Sequence, residues 1–233
     1  MSAWPTTTEW AVVALSLKVS VLAVALTIPV AYALAWLLAR RRFPGRILLD
    51  AAVHLPLVLP PVVTGWVLLL LFGRTGPLGH WLEETTGLVL VFRWTGAALA
   101  AAVMALPLMV RAMRLSIEAV DRRLVGAART LGATSWRAFL TITLPLSLPG
   151  VMAGTMLGFA RSLGEFGATI TFASNIPGET RTLPLAIYTG LQVPGAEGAV
   201  TRLAIISVLL SVAALLASEL LVRRSHGRRA HVL

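Results

Sequence analysis

Cysteine is absent from the 233-residue chain. That excludes disulfides and thiol chemistry and argues against soft-metal ligation. Charge is scarce: 13% of residues are charged and 57% are hydrophobic, with mean hydropathy +0.83. A soluble domain carries roughly a quarter charged residues, so this chain cannot solvate a globular surface. Lysine is reduced to one residue, Lys18, inside an apolar run and with no glycine-rich loop before it. A P-loop needs its Lys to reach the nucleotide phosphates, so the chain has no such motif and is not expected to be an enzyme. The four His (His54, His80, His226 and His231) make no His-x-x-x-His pair and no His-Glu-x-x-His zinc motif. No catalytic constellation and no metal or cofactor site is expected. No Lys or Arg lies between Met1 and Trp10. That stretch lacks the positive n-region of a secretory signal, and the apolar run after it is expected to stay as a membrane helix.

What the chain has instead is long apolar runs, several beyond the ~18 residues that mark a membrane helix. Five spans are expected in one all-α transmembrane domain over residues 1–233, at about 10–39, 54–72, 95–113, 148–172 and 203–222. The first is longer than a bilayer needs and holds Pro29, so tilt and a kink are expected. The second holds Pro56, Pro60 and Pro61, which predicts an irregular start packed against protein. Two stretches are intermediate: Gly76 to Trp94, too mixed to span, and Thr182 to Gln192, read as a short interfacial helix.

The net charge is +10, and its placement explains it. Arg40, Arg41, Arg42 and Arg46 follow the first span. Arg114, Arg122, Arg123, Arg129 and Arg137 separate the third from the fourth, and Arg223, Arg224, Arg228 and Arg229 end the chain. The alternate connections hold only Arg74, Arg93, Arg181 and Arg202. The positive-inside rule then puts the N-terminus outside and the C-terminus in the cytoplasm. It accounts for the basic balance through membrane lipid and topology, without nucleic acid. His226 and His231, in the basic tail, are expected to be solvated.

The longest cytoplasmic connection, about residues 122–145, is patterned. Leu124, Ala128 and Leu131 share a helical face, Gly132 can end that helix in a left-handed turn, and Ser135 can cap a second short helix. Ala127, Ala128 and Gly132 permit close approach, and Trp136 and Phe139 offer aromatic anchors. On physics alone this is either a docking knob or an amphipathic segment lying on lipid. The order Gly126-Ala127-Ala128, Gly132, Ile142, Leu144-Pro145 resembles the cytoplasmic signature of ABC importer permeases, Glu-Ala-Ala, three residues, Gly, nine residues, Ile, one residue, Leu-Pro. Every spacing agrees, and Gly126 stands where that family often has Glu. The resemblance implies a type I (MetI-like) importer fold. It also implies that Ala127, Ala128, Gly132, Trp136, Phe139, Ile142, Leu144 and Pro145 couple to a separate ATPase that uses ATP and Mg.

In the fourth span Gly150, Gly154, Gly158 and Ser162 repeat every four residues, a small-residue stripe for close helix packing. Arg161 and Glu165 lie one turn apart at membrane depth, where ionisable groups are costly and functional. With Ser162 they are candidates for the translocation path. The other reading is an ion pair that fixes helix contacts. Gly164 and Gly167 are expected to loosen the helix there. The run Ala160 to Ala168, with Asn175-Ile176-Pro177-Gly178 and Thr182 to Tyr188, resembles the sulfate, molybdate and tungstate permeases, the molybdate branch in particular. That resemblance implies a multi-pass protein of the bacterial inner membrane. Its partners would be a second copy, two ABC ATPases and a periplasmic molybdate-binding protein. Sulfate, thiosulfate or tungstate are alternative substrates. A proton-coupled anion transporter using Glu165 is a rival of another class.

Overall fold

The computed structural model describes residues 6–227, with side chains to Leu216 apart from residue 215. The tail residues Arg228, Arg229 and His231, and the side chains of Arg223, Arg224 and His226, lie outside the described residues. Within them every regular element is a helix, and no strand occurs.

The first helix, α1 (Thr7–Arg40), begins at a capping box. The Thr6 hydroxyl accepts from the Glu9 amide at 3.3 Å, and the Glu9 carboxylate accepts from the Thr6 amide at 2.8 Å. The helix is continuous through Pro29. The expected second span is two helices, α2 (Arg46–Val58) and α3 (Pro61–Phe72), bent by 118° at Leu59–Pro60. The expected irregular start before Pro60 is instead the regular helix α2, which runs through Pro56 and begins eight residues before His54. Pro60 and Pro61 force the break, because neither has an N–H to carry the ladder across. At ~1.5 Å per residue α3 alone is about 18 Å long, too short for a ~30 Å hydrocarbon core. It reaches membrane length only together with α2.

The mixed stretch after it forms α4 (Pro77–Thr86), and the third span is α5 (Trp94–Glu118), a turn longer than expected. Then come α6 (Arg122–Thr130) and α7 (Ser135–Ala138), a π-turn over Phe139–Thr143, and α8 (Leu144–Leu163). The helix that carries the fourth span therefore runs from Ser135 to Leu163, its first turns belonging to the connection before it. The expected 148–172 is corrected at both ends. Pro145 has no N–H and the wider π-turn precedes it, so the helix carries straight on from the knob. At the other end Gly164–Phe166 breaks the chain before α9 (Gly167–Phe172). The interfacial helix is α10 (Leu183–Gly190), and α11 (Glu197–Gly227) is the fifth span. Among the described residues four helices are long and apolar enough to cross a membrane, and five crossings result if the bent α2–α3 pair is one span.

The core forms where α5 packs between α1 and α8. Val24, Ala31, Ala35 and Leu38 of α1 meet Ala105, Met109, Val110, Met113 and Ile117 of α5. On the other side Gly150, Gly154 and Gly158 of α8 bring the two backbones together. A Cβ at Gly154 would stand 3.1 Å from the Met109 carbonyl oxygen, and one at Gly158 only 2.5 Å from the Met109 sulfur. The α3–α9 contact is equally close, with a Cβ at Gly65 meeting the Ala168 carbonyl at 2.6 Å.

The bundle has a basic end. There Arg40 donates to the carbonyls of Ile117 (2.9 Å) and Val120 (3.1 Å), tying the close of α1 to the close of α5. At the opposite end Glu9 pairs with Arg202 at 2.8 Å, the Leu183 amide donates to Ser16 at 2.7 Å, and the Lys18 ammonium lies 3.5 Å over the Trp94 ring.

Gly154→Leu tests the close packing. Overfilling this contact is expected to cost about 2 kcal/mol or more. It should lower the thermal midpoint of the purified chain in detergent, whereas Gly178→Leu, with open space around its position, should cost only the backbone strain of φ +78°.

Candidate functional site

The segment 122–145 stands off the basic end as a knob. Asp121 caps α6 by accepting from the Arg123 amide at 2.8 Å. No residue of α6 is buried. The helix ends as expected at Gly132, with φ +88°, and the Ala133 amide closes back on the Ala128 carbonyl at 3.0 Å. The cap of α7 is Thr134, which accepts from Arg137 at 3.2 Å, rather than Ser135. Ser135 already lies inside the helix.

The signature residues divide into two sets. Leu131 and Trp136 are 88% and 68% exposed, and Ala127 and Gly132 are exposed beside them, with Ala128 half-buried. These present an apolar surface that nothing in the chain covers among the described residues. Phe139 turns the other way. It packs edge-on against Tyr32 (6.0 Å) and Trp36 (6.2 Å) of α1, with Trp136 stacked on its outer side at 5.3 Å. Tyr32 in turn shares a hydrogen bond with Ser147 at 2.9 Å. Ile142 and Leu144 are half-buried and Pro145 is exposed. Phe139 is therefore a root of the knob and not a free anchor. Beside the root, Gly126 lines a cleft of about 610 Å³ together with Arg40, Arg41, Arg122 and Arg129.

Arg161 and Glu165 come together at 2.5 Å. Glu165 is 2% exposed, and its second oxygen accepts from the Ala168 amide at 2.8 Å. One carboxylate thus neutralises Arg161 and caps the start of α9 across the Gly164–Phe166 break. Ser162 is buried on the same turn, and its hydroxyl has no hydrogen-bond partner among the described residues. The contacts of Gly150, Gly154 and Gly158 with α5 set the register, which puts Arg161 level with about Ala105, near the middle of α5.

A further charged set escaped the sequence reading. Arg114 of α5 holds both oxygens of Asp50 on α2 (3.1 and 3.2 Å) and, through Nε, Glu118 at 2.9 Å. The His54 ring donates from Nδ1 to the Asp50 carbonyl at 2.9 Å. The signal was present as Asp50–His54 and Arg114–Glu118, both spaced i, i+4. It was missed because Asp50 was placed in a connection and the third span was ended at Met113.

Two outcomes are expected. Glu165→Ala leaves the half-buried Arg161 guanidinium unpaired and an amide uncapped, which should cost about 2 kcal/mol or more. Adding Arg161→Ala should recover part of that, so a thermal double-mutant cycle should be non-additive. Gly126→Glu should raise the thermal midpoint, since no atom lies within 4 Å of the new Cβ, the residue is helical, and four guanidiniums line the cleft.

Residues 28–227 match the family described as binding-protein-dependent transport system inner membrane component. The molybdenum transport system permease protein ModB of Escherichia coli K12 is 60% identical over 220 residues, which cover 94% of this chain and 96% of that protein. The sulfate transport system permease protein CysT of the same bacterium is 40% identical, covering 84% of this chain and 70% of that one. Among solved structures, a bacterial ABC transporter that imports the acidic polysaccharide alginate has a chain matching at TM-score 0.74 and 17% identity, over 95% of this chain and 81% of its own. A chain of the MetNI methionine ABC transporter, in inward-facing conformations, matches at TM-score 0.65 and 15% identity, over 93% and 94%. At these identities the structures speak for the fold alone, which is the expected type I importer fold. With a family match over residues 28–227 and 60% identity to ModB over most of its length, the chain belongs to the family of binding-protein-dependent transport system inner membrane components.

Proposed function

We propose that this chain is the membrane channel of an ATP-driven molybdate importer of the bacterial inner membrane. It works as a homodimer with two cytoplasmic ABC ATPases and a periplasmic molybdate-binding protein. The reading rests on one observation above the others: an exposed apolar knob with the ATPase-docking spacing, on a chain 60% identical to a molybdenum permease over nearly its whole length. The basic end is then cytoplasmic, as the Arg distribution requires. ATP and Mg belong to the ATPase.

The outward set Ala127, Gly132, Leu131 and Trp136, with the half-buried Ala128, meets the ATPase, while Phe139 roots the knob on α1 and Ile142 and Leu144 continue it into α8. When two ATPases close, the knobs move and carry α8 with them. The Arg161–Glu165 pair at the far end of α8 holds the break before α9 in one shape, so that movement of α8 reaches α3 through the α3–α9 contact. Arg161 and Ser162 stand at the path rather than forming a tight site. Weak affinity suits a channel whose selectivity lies in the binding protein, since tight binding would slow release. Glu165 is committed to Arg161 and to the Ala168 amide, which argues against a proton-coupled carrier based on it.

Proteoliposomes holding the chain are expected to take up molybdate only when the ATPase, ATP and binding protein are all present. Uptake driven by a proton gradient without the ATPase would refute the reading, and uptake of sulfate but not molybdate would change the substrate. Ala128→Glu should leave insertion intact and abolish co-purification of the ATPase. Retained co-purification and uptake would remove the knob from the docking surface.

A further inference from the structure

We infer that the groove between α2 and α5 is a second, transient site for a tetrahedral oxyanion, with Arg111 as its binding cation. The inference rests on the oxyanion importer reading and adds a place where the substrate pauses between mid-membrane and the basic end.

The groove is a cavity of about 550 Å³ with walls that include Asp50 and His54 on one side and Arg111, Arg114, Leu115 and Glu118 on the other. Each set falls on one helical face. The face of α5 is the one turned away from α1 and α8, whose contacts are made through Met109, Val110 and Met113. Within the groove the acids are already committed: Asp50 gives both oxygens to Arg114, and Glu118 takes the Nε of the same residue. Arg111 differs. It is exposed and has no ion pair or hydrogen bond among the described residues. A guanidinium on a membrane helix is costly, and such residues face a wet cavity or a counter-charge.

Position favours an anion there. The Asp50–Arg114 pair sets the register of the two antiparallel helices, which puts His54 level with Arg111 and leaves the Asp50 carboxylate about a turn farther out, with Glu118 beyond it. Arg111 lies two helical turns, ~10 Å, inside Glu118, and about 9 Å closer to the basic end than the level of Arg161. The planar fork of Arg matches two oxygens of a tetrahedral oxyanion. A single cation in an open groove gives the weak hold that a passing ion needs. A lipid phosphate offers the same chemistry from the membrane side, so the test separates the two sources.

The chain has no Cys, so Leu115→Cys places one thiol in this chain, on the groove wall. The permease–ATPase complex, without nucleotide, is placed in vesicles of zwitterionic lipid alone or with anionic lipid. It is treated with an anionic or a cationic methanethiosulfonate, and labelling is read as a mass shift on the permease chain. The anionic reagent is expected to react several-fold faster, relative to the cationic one, than in Leu115→Cys/Arg111→Gln. Millimolar molybdate should slow it, chloride at equal ionic strength should not, and Arg111→Gln should remove the protection while Arg111→Lys keeps part of it. No labelling, or labelling indifferent to molybdate, overturns the inference. Slowing by anionic lipid and not by molybdate assigns Arg111 to headgroups and also overturns it. Molybdate uptake by the same vesicles, supplied with binding protein and ATP, keeps the two readings apart. Normal uptake without protection sinks the groove site alone. Uptake of sulfate in place of molybdate sinks the substrate assignment, and protection by sulfate then decides the groove.

Discussion

The close approach of α8 to α5 is the contact on which the rest of the structure depends. Three glycines one turn apart let the α8 backbone lie against the Met109 and Ala112 carbonyls and the side chains of Met109, Met113 and Ser116, with no side chain of α8 between. Lipid tails are as apolar as a protein core, so helices in a bilayer gain little from hiding apolar surface and associate through packing of this kind. The contact fixes the register of the two helices. It thereby fixes the height of Arg161 and the reach of the knob, which continues α8 through the π-turn without a flexible joint. A displaced knob cannot leave α8 behind unless this packing opens.

That arrangement explains how one short signature can serve two purposes. Its first half is exposed and small, suited to a partner's cleft. Its second half is rooted, with Phe139 between Tyr32 and Trp36 and Tyr32 bonded to Ser147. A knob made only of exposed residues would be a poor lever, because force on it would spend itself in local bending. At the other end of α8, the Glu165 carboxylate turns a helix break into a fixed elbow by pairing with Arg161 and capping α9. A lone buried charge there would be far more costly than the pair.

Much of this was legible in the sequence, for identifiable reasons. Apolar runs of membrane length are one-dimensional signals, so four long apolar helices and the bent α2–α3 pair lie near the expected spans. The Gly132 turn and the i, i+4 pairing of Arg161 with Glu165 are local, and both stand as expected. Boundaries set by tertiary context were not legible. Nothing in Pro56-Leu57-Val58-Leu59-Pro60-Pro61 says that the helix survives the first proline and folds by 118° at the others. The joining of α7 to α8 depends on Phe139 finding α1, a contact more than a hundred residues back along the chain. The Asp50–Arg114–Glu118 network was lost for the same reason, since its halves lie on helices whose ends were drawn too short. The Thr6–Glu9 capping box was readable from the spacing and was overlooked.

The central claim is that α8 moves with the knob. Spin labels at Thr130→Cys report the separation of the two knobs in the proposed homodimer, and labels at Leu157→Cys, exposed far along α8, report the separation of the helices. Both distances should change together when the ATP-bound complex is trapped. A change at position 130 with none at 157 would contradict the account, because it would uncouple the proposed docking surface from the helix that carries Arg161.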